Sequence, residues 1–310
     1  MMKSKTADFS TPQSYRRRLR NFKEFMIRAL LFLSALSSVL ITFGVIWTLV
    51  TEALPFFAEI SFKNFLFDAE WTPLFENPQY GIFNLVSGTL LTTVIALVVA
   101  IPLGTVTAVF LSEYASSRAR EIFKPLLELL AAIPTVVYGY FALLFVTPLL
   151  QKMIPSLENF NALSAGLVMG IMIIPYISSL SEDAMRAVPL HLREGSLAMG
   201  ASKLQTSFKV IVPSAFSGLA SAYVLGISRA LGETMVVAIA AGLQPRLSMN
   251  PLESTQTLTA YIVQVSQGDI PQGSIGFKTI YVAGLVLLLF TLIFNLIGLR
   301  IRSRMENKYK

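Results

Sequence analysis

Glu194-Gly195-Ser196, three residues, Gly200, nine residues, then Val210-Ile211-Val212-Pro213 is the stretch on which the fold turns. It is polar and lies between two very apolar segments. If those segments cross a membrane, the stretch is a loop with a helical pattern of its own. Two short helices meeting at Gly200 need a turn, and glycine permits the positive φ that such turns use. Pro213 suits the first turn of the helix that follows. A loop built this way is a docking element. It points to a membrane subunit driven by a separate motor, and so to transport rather than chemistry.

Composition agrees with the membrane reading. Of the 310 residues, 54% are hydrophobic and 14% charged, with mean hydropathy +0.63. That balance belongs to a polytopic membrane protein, not to a soluble domain. Cysteine is absent and His191 is the single histidine. Disulfide frameworks, thiolate metal sites and histidine-based chemistry are therefore excluded or disfavoured, and no metal site is expected.

Six apolar segments stand near the roughly 20 residues that a helix needs to cross a bilayer. They fall at 27–50, 82–112, 125–150, 161–180, 214–242 and 278–299, the fourth interrupted by Pro175. Basic residues set the orientation. Most of the 25 Lys and Arg fall in the N-terminal segment, in the second-to-third and fourth-to-fifth loops, and after residue 299. The other loops carry only Lys63, Lys152, Arg246 and Lys278. The positive-inside rule places both termini and the 181–213 loop in the cytoplasm. The net charge of +7 is thus topological, and a nucleic-acid partner is not expected. The first apolar segment is too long for a signal h-region and reads as a span that stays. The expected organisation is a cytoplasmic basic tail over 1–26, a first transmembrane helix over 27–50 and a periplasmic loop over 51–80. A core over 81–301 with its coupling loop at 189–213 follows, then a short cytoplasmic tail over 302–310.

The spacing of Glu194, Gly195, Ser196, Gly200 and Pro213 resembles the EAA loop of ABC importer permeases: Glu-Ala-Ala, three residues, Gly, nine residues, an aliphatic, one residue, Leu-Pro. Gly195-Ser196 stands for Ala-Ala and Val212 for Leu, which keeps small size and apolarity. Three further stretches narrow the resemblance. Residues 228–235 read Ser-Arg-Ala-Leu-Gly-Glu-Thr-Met, 133–141 read Ile-Pro-Thr-Val-Val-Tyr-Gly-Tyr-Phe, and 171–189 run from Ile-Met-Ile-Ile-Pro-Tyr to Arg-Ala-Val-Pro. Together they are similar to permeases of phosphate-specific ABC importers, PstC type, over most of 80–300. The resemblance implies an all-α polytopic protein with six transmembrane helices in the type I ABC importer permease fold, in the bacterial inner membrane. It implies a second permease of PstA type, an ATPase dimer of PstB type that holds ATP and Mg, and a periplasmic phosphate-binding protein of PstS type. This chain would bind no cofactor itself; it lacks a phosphate-cradling Gly-x-x-x-x-Gly-Lys-Ser/Thr.

Arg229 and Glu233 support that reading independently. Both fall deep in the fifth apolar segment, where an ionised group costs on the order of 2.5–3.5 kcal/mol and is functional by default. Their i, i+4 spacing predicts one helix face. Arg229 offers a fork of donors to an oxyanion. Glu233 can accept a hydrogen bond from an anion that still carries a proton. Phosphate near neutral pH does and sulfate does not, so Glu233 would repel sulfate. The competing reading is a structural ion pair that locks the helix. Thr135 and Tyr138 are further candidates for the path, although such hydroxyls more often join helices. Glu128 is expected beside Lys124 as a surface pair. Gly139, Gly166, Gly170, Gly226 and Gly232 are expected to permit close helix packing.

The alternatives are a permease for another oxyanion, a self-contained secondary carrier and a membrane-embedded enzyme. A carrier gives no reason for the 194–213 loop. An enzyme would need a nucleophile elbow or His-Glu-x-x-His, and neither is present.

Overall fold

The computed structural model describes the backbone of residues 11–268 and 270–306, and the side chains of 20–268 and 270–303. The expected terminal tails lie largely outside the described side chains. The described residues are helical apart from loops and one isolated bridge, Trp71 to Tyr80. Two compact units are distinguished, residues 1–51 and 52–310. The first is most of α1 (Thr11–Glu59), one long helix whose large apolar side chains over 22–47 are exposed.

Within the second unit, the end of α1 is followed by α2 (Phe62–Phe67) and an extended stretch to Gly81. This outer segment is held by aromatic packing. Phe56, Phe65, Trp71 and Tyr80 meet edge to face, and Trp71 stands 5.3 Å from the ring of Tyr261. Edge-to-face pairs of this kind each add about 0.5–1.5 kcal/mol beyond area burial.

The centre is α3 (Phe83–Val109) packed along α7 (Ala162–Arg186). Small residues set their distance. Gly166 faces Ile95, Gly170 faces Val99, and Gly104 faces Ile177. The nearly constant offset means the two helices run parallel, as two spans that both start at the same side must. α7 passes through Pro175 unbroken, so the expected interruption does not occur. Neighbouring helices tolerate such a proline inside a bundle. The expected fourth segment, 161–180, is thus longer at its far end.

Two expected spans are broken. The third, 125–150, consists of α4 (Ser117–Ala132) and then α5 (Thr135–Phe141), which continues through a π-turn into α6 (Thr147–Gln151). The two parts are bent by 87°. Pro134 is the cause: it disfavours helical backbone in the residue before it, and Ile133 is extended at φ −64°, ψ 130°. The fifth, 214–242, is also interrupted. After α8 (Leu190–Ala198), α9 (Lys203–Thr206) and α10 (Val212–Ser214), the chain bends by 74° into α11 (Phe216–Leu231). α11 stops at Gly232, and α12 (Met235–Ala240) begins after two non-helical residues. Gly232 is therefore a helix end and not the packing glycine expected. Counting each bent pair as one span, up to six helical segments are long and apolar enough to cross a membrane.

The chain returns through residues 241–257, whose Ser254 to Thr257 are buried. Asn250 and Ser248 hydrogen-bond the Glu253 carboxylate there and hold its pKa below the usual range. α13 (Leu258–Gln267) and α14 (Ile275–Glu306) close the unit. Thr89 on α3 accepts from the Leu258 amide at 3.0 Å, so it caps α13 from across the bundle. Beside it, a Cβ on Gly88 would overlap the Gln256 carbonyl oxygen and lie 2.5 Å from Thr255 Oγ1. Because the obstacle is backbone, Gly88→Ala should destabilise the fold by about 1–3 kcal/mol. The check is the thermal midpoint of the purified chain in detergent. An unchanged midpoint would show that 254–257 moves aside freely.

Candidate functional site

The loop at 189–213 is built as its pattern requires. α8 ends at Ala198 with Met199 as its cap, and Gly200 turns the chain at φ +84°, a region that side chains with a Cβ rarely adopt. Ser202 then caps α9 in a reciprocal capping box with Gln205. Ser196 and Thr206 are joined at 2.9 Å, which ties the two short helices together. Pro213 lies near the end of the continuous helical run Lys203–Ser214, after the π-turn Ser207–Ile211 and just before the 74° bend, and so not in the first turn of the span as expected.

The surface of this loop is unusual. No residue of α8 is buried. Leu190, Leu197, Leu204 and Phe208 are exposed, and Met199 is 89% exposed. Glu194 and His191 are exposed as well, and Glu194 makes no ion pair among the described residues. Concentrated apolar exposure of this kind marks a surface for a protein partner or a membrane.

One residue of the loop is anchored inward, and sequence reasoning gave it no role. Arg193 donates to the carbonyls of Met185 (2.6 Å) and Val188 (3.1 Å) at the end of α7. It also pairs with Glu113 at 3.2 Å, in the π-turn (Phe110–Tyr114) that ends α3. Its place next to Glu194 was the available signal. The loop is thus pinned to the bundle and open on its outer side.

The second locus lies where the fourth and fifth spans meet the break in the third. The Arg229 guanidinium lies over the ring of Tyr176, 3.9 Å from its centroid. Its Nε is buried without a hydrogen-bond partner. Tyr176 in turn donates to the Ala131 carbonyl (3.2 Å), and Tyr138 donates to that of Leu130 (2.7 Å). Both carbonyls lie in the last turn of α4, where helical donors run out at the Pro134 break; that of Leu130 also accepts from the Ile133 N–H at 3.4 Å. Tyr138 therefore closes the break, while Thr135, half-buried, makes no hydrogen bond. Tyr176 had no assigned role in the sequence, although it follows Pro175 in one of the diagnostic stretches.

Arg229 and Glu233 do not share a helix face. α11 ends between them, and among the described residues they form no ion pair with each other. The structural ion pair is therefore not what holds them. Glu233, only 8% exposed, turns its Oε1 onto the amides of Met235 (3.0 Å) and Val236 (3.2 Å), and so caps α12. Its backbone carbonyl accepts from Thr259 Oγ1 at 2.6 Å. Oε2 makes no hydrogen bond. Next to Arg229, Ser228 donates to Asn295 Oδ1 at 3.0 Å and links α11 to α14. The broken span thus holds a carboxylate oxygen without a hydrogen bond and an arginine with unfilled donors. Among the described residues no cluster of His, Asp and Glu is placed to hold a metal.

The expected Lys124–Glu128 pair is replaced by another. Lys124 reaches Glu182 and Asp183, each at 3.0 Å. α4 turns this face onto α7 ahead of the bend, and a buried carboxylate attracts the cation more strongly than an exposed one.

Comparison with known proteins places these features. Residues 100–308 match the model of the family described as binding-protein-dependent transport system inner membrane component. A probable ABC transporter permease, YqgH of Bacillus subtilis, is 37% identical over 240 residues, covering 77% of each chain. The phosphate transport system permease protein PstC of Xylella fastidiosa is 35% identical over 218 residues, 64% of this chain and 67% of that protein. Among solved structures, a chain of a bacterial alginate ABC transporter, in complex with a pentasaccharide-bound periplasmic protein, superposes with TM-score 0.64. It covers 92% of this chain and 98% of that chain at 16% identity, a likeness of fold alone.

Proposed function

This chain belongs to the family of binding-protein-dependent transport system inner membrane components, and we propose that within it the chain is the phosphate permease of an ATP-driven importer. As a membrane component of an ABC importer it carries no catalytic site, and the self-contained carrier is set aside. The observation that carries the substrate assignment is the pairing of functions at the broken fifth span. Arg229 is held over Tyr176 with donors to spare, and Glu233 keeps one carboxylate oxygen unbonded. A dianion without protons meets attraction from the first and repulsion from the second. An oxyanion with a hydroxyl satisfies both. The relative from Xylella fastidiosa named for phosphate transport supports the same substrate.

In this reading the exposed face of α8 and α9 fits a cleft on an ATPase subunit, which holds ATP and Mg. A second permease supplies the other half of the path, and a periplasmic phosphate-binding protein delivers the anion. Both termini and the docking loop face the cytoplasm, as the distribution of basic residues requires. ATP binding biases an equilibrium between conformations open to either side.

Glu233→Gln tests the assignment. Glutamine keeps an oxygen to cap α12, so the break survives, but it removes the charge. Phosphate uptake into cells lacking the native chain should persist with this variant, while preference over sulfate should fall by at least about tenfold, roughly 1.4 kcal/mol. Normal phosphate uptake with sulfate still excluded would remove Glu233 from selectivity. Failure of the unaltered chain to restore phosphate uptake would remove the substrate.

A further inference from the structure

We infer that Glu182 is a positioning residue, clamping α4 to α7 so that movement of the docking loop reaches the Tyr176–Arg229 stack. This rests on the reading that the loop receives an ATPase, but not on the identity of the substrate.

Glu182 is fully buried near the end of α7. Three cations surround it: Arg120 at 3.4 Å and Lys124 at 3.0 Å from α4, and Arg186 at 3.5 Å from its own helix. A buried ion cluster is a poor stabiliser, since apolar side chains of equal volume often do as well or better. What such a cluster does supply is a defined geometry. Here it fixes α4, a helix with no buried residue of its own.

Both ends of that helix connect onward. At its start, Arg120 gives Nε (3.1 Å) and a terminal nitrogen (2.8 Å) to the Leu111 carbonyl. Leu111 lies in the same π-turn as Glu113, which holds Arg193 of the docking helix. At its far end, the Ala131 carbonyl accepts from Tyr176, whose ring carries Arg229. α4 therefore spans from the docking-loop anchor to the candidate substrate site as one strut, fastened to α7 at both ends by polar contacts. Losing Glu182 removes the buried part of the clamp and leaves the exposed Lys124–Asp183 pair at that end, so the strut carries a displacement less well although each half remains folded. Coupling of this kind requires an element whose position both sites bias, and α4 is the helix that touches both.

The test uses the full complex with its ATPase in liposomes. The chain has no cysteine, so Val137→Cys, on the exposed side of α5 beyond the break, is a single reporter thiol. Its maleimide labelling rate is compared between the nucleotide-free and the ATP–vanadate-trapped states. With Glu182 present, the rate should change by at least about fivefold. With Glu182→Gln it should change by less than about twofold, while ATP hydrolysis stays within about threefold of the unaltered complex. Glu182→Asp, which keeps the charge, should recover part of the change. If Glu182→Gln does not assemble, Lys124→Gln carries the same test with the carboxylate left in place. The inference is overturned if the variants keep the full nucleotide-dependent change, or if hydrolysis and labelling fall together. Because no substrate enters this readout, it separates from the phosphate assignment, which fails only if the unaltered complex does not import phosphate.

Discussion

Arg229→Gln should reduce phosphate uptake by at least about 100-fold while the chain remains inserted and assembled. Two charge-assisted hydrogen bonds to an oxyanion are together worth about 3 kcal/mol or more, which is two orders of magnitude in affinity or rate. Glutamine fills much of the space over Tyr176 and leaves no new buried charge, so the expected cost to the fold is small. Arg229→Lys separates charge from geometry. It keeps the cation but loses the planar fork and the stack on Tyr176, and should fall between, at roughly a tenfold loss. Uptake of labelled phosphate with membrane abundance measured in parallel decides the matter. If Arg229→Gln retains half of the normal uptake at normal abundance, the arginine serves packing and not the anion. Tyr176→Phe provides a finer control. It keeps the ring under the guanidinium but releases the Ala131 carbonyl, so it should disturb the break more than the anion site.

Much of this was legible in the sequence, for identifiable reasons. The apolar helical segments, up to six when each bent pair counts as one, followed from apolar length, and the turn at Gly200 from one glycine in a fixed spacing. Both are local properties. What was not legible depended on contacts between distant elements. The i, i+4 relation of Arg229 and Glu233 assumed a continuous helix, but Glu233 binds the amides of Met235 and Val236 and so begins a new one. Pro134 was visible as a proline, yet its 87° bend was hidden by the even apolarity on both sides. Lys124 had an obvious neighbour in Glu128 along the helix. Its actual partner, Glu182, is far away in sequence and acquires its pull only from burial. Arg193 reads locally as one more basic loop residue, and its partners Met185, Val188 and Glu113 come together only in the fold. In each case a tertiary contact decided between two locally acceptable readings.

The second large effect is expected at the docking loop. Met199→Asp should weaken association with the ATPase by at least about 100-fold without unfolding the permease. Met199 is 89% exposed at the end of a helix with no buried residue, so nothing within this chain gains from its side chain. In a cleft it would contribute about 1.5–3 kcal/mol by burial, and an aspartate there adds the cost of desolvating a carboxylate. Glu194→Lys should act more mildly in buffers of high ionic strength, because an exposed charge is screened. The measurement is recovery of the ATPase on a tagged permease, together with uptake. The two outcomes carry different meanings. If Met199→Asp loses the ATPase but Gly200→Ala keeps it, the apolar face makes the contact and the turn only presents it. If Gly200→Ala loses it equally, the left-handed turn sets the angle between α8 and α9 on which the contact depends. If neither variant loses the ATPase, the exposed apolar face serves some other surface, and Arg193 anchors a loop whose partner is not the motor.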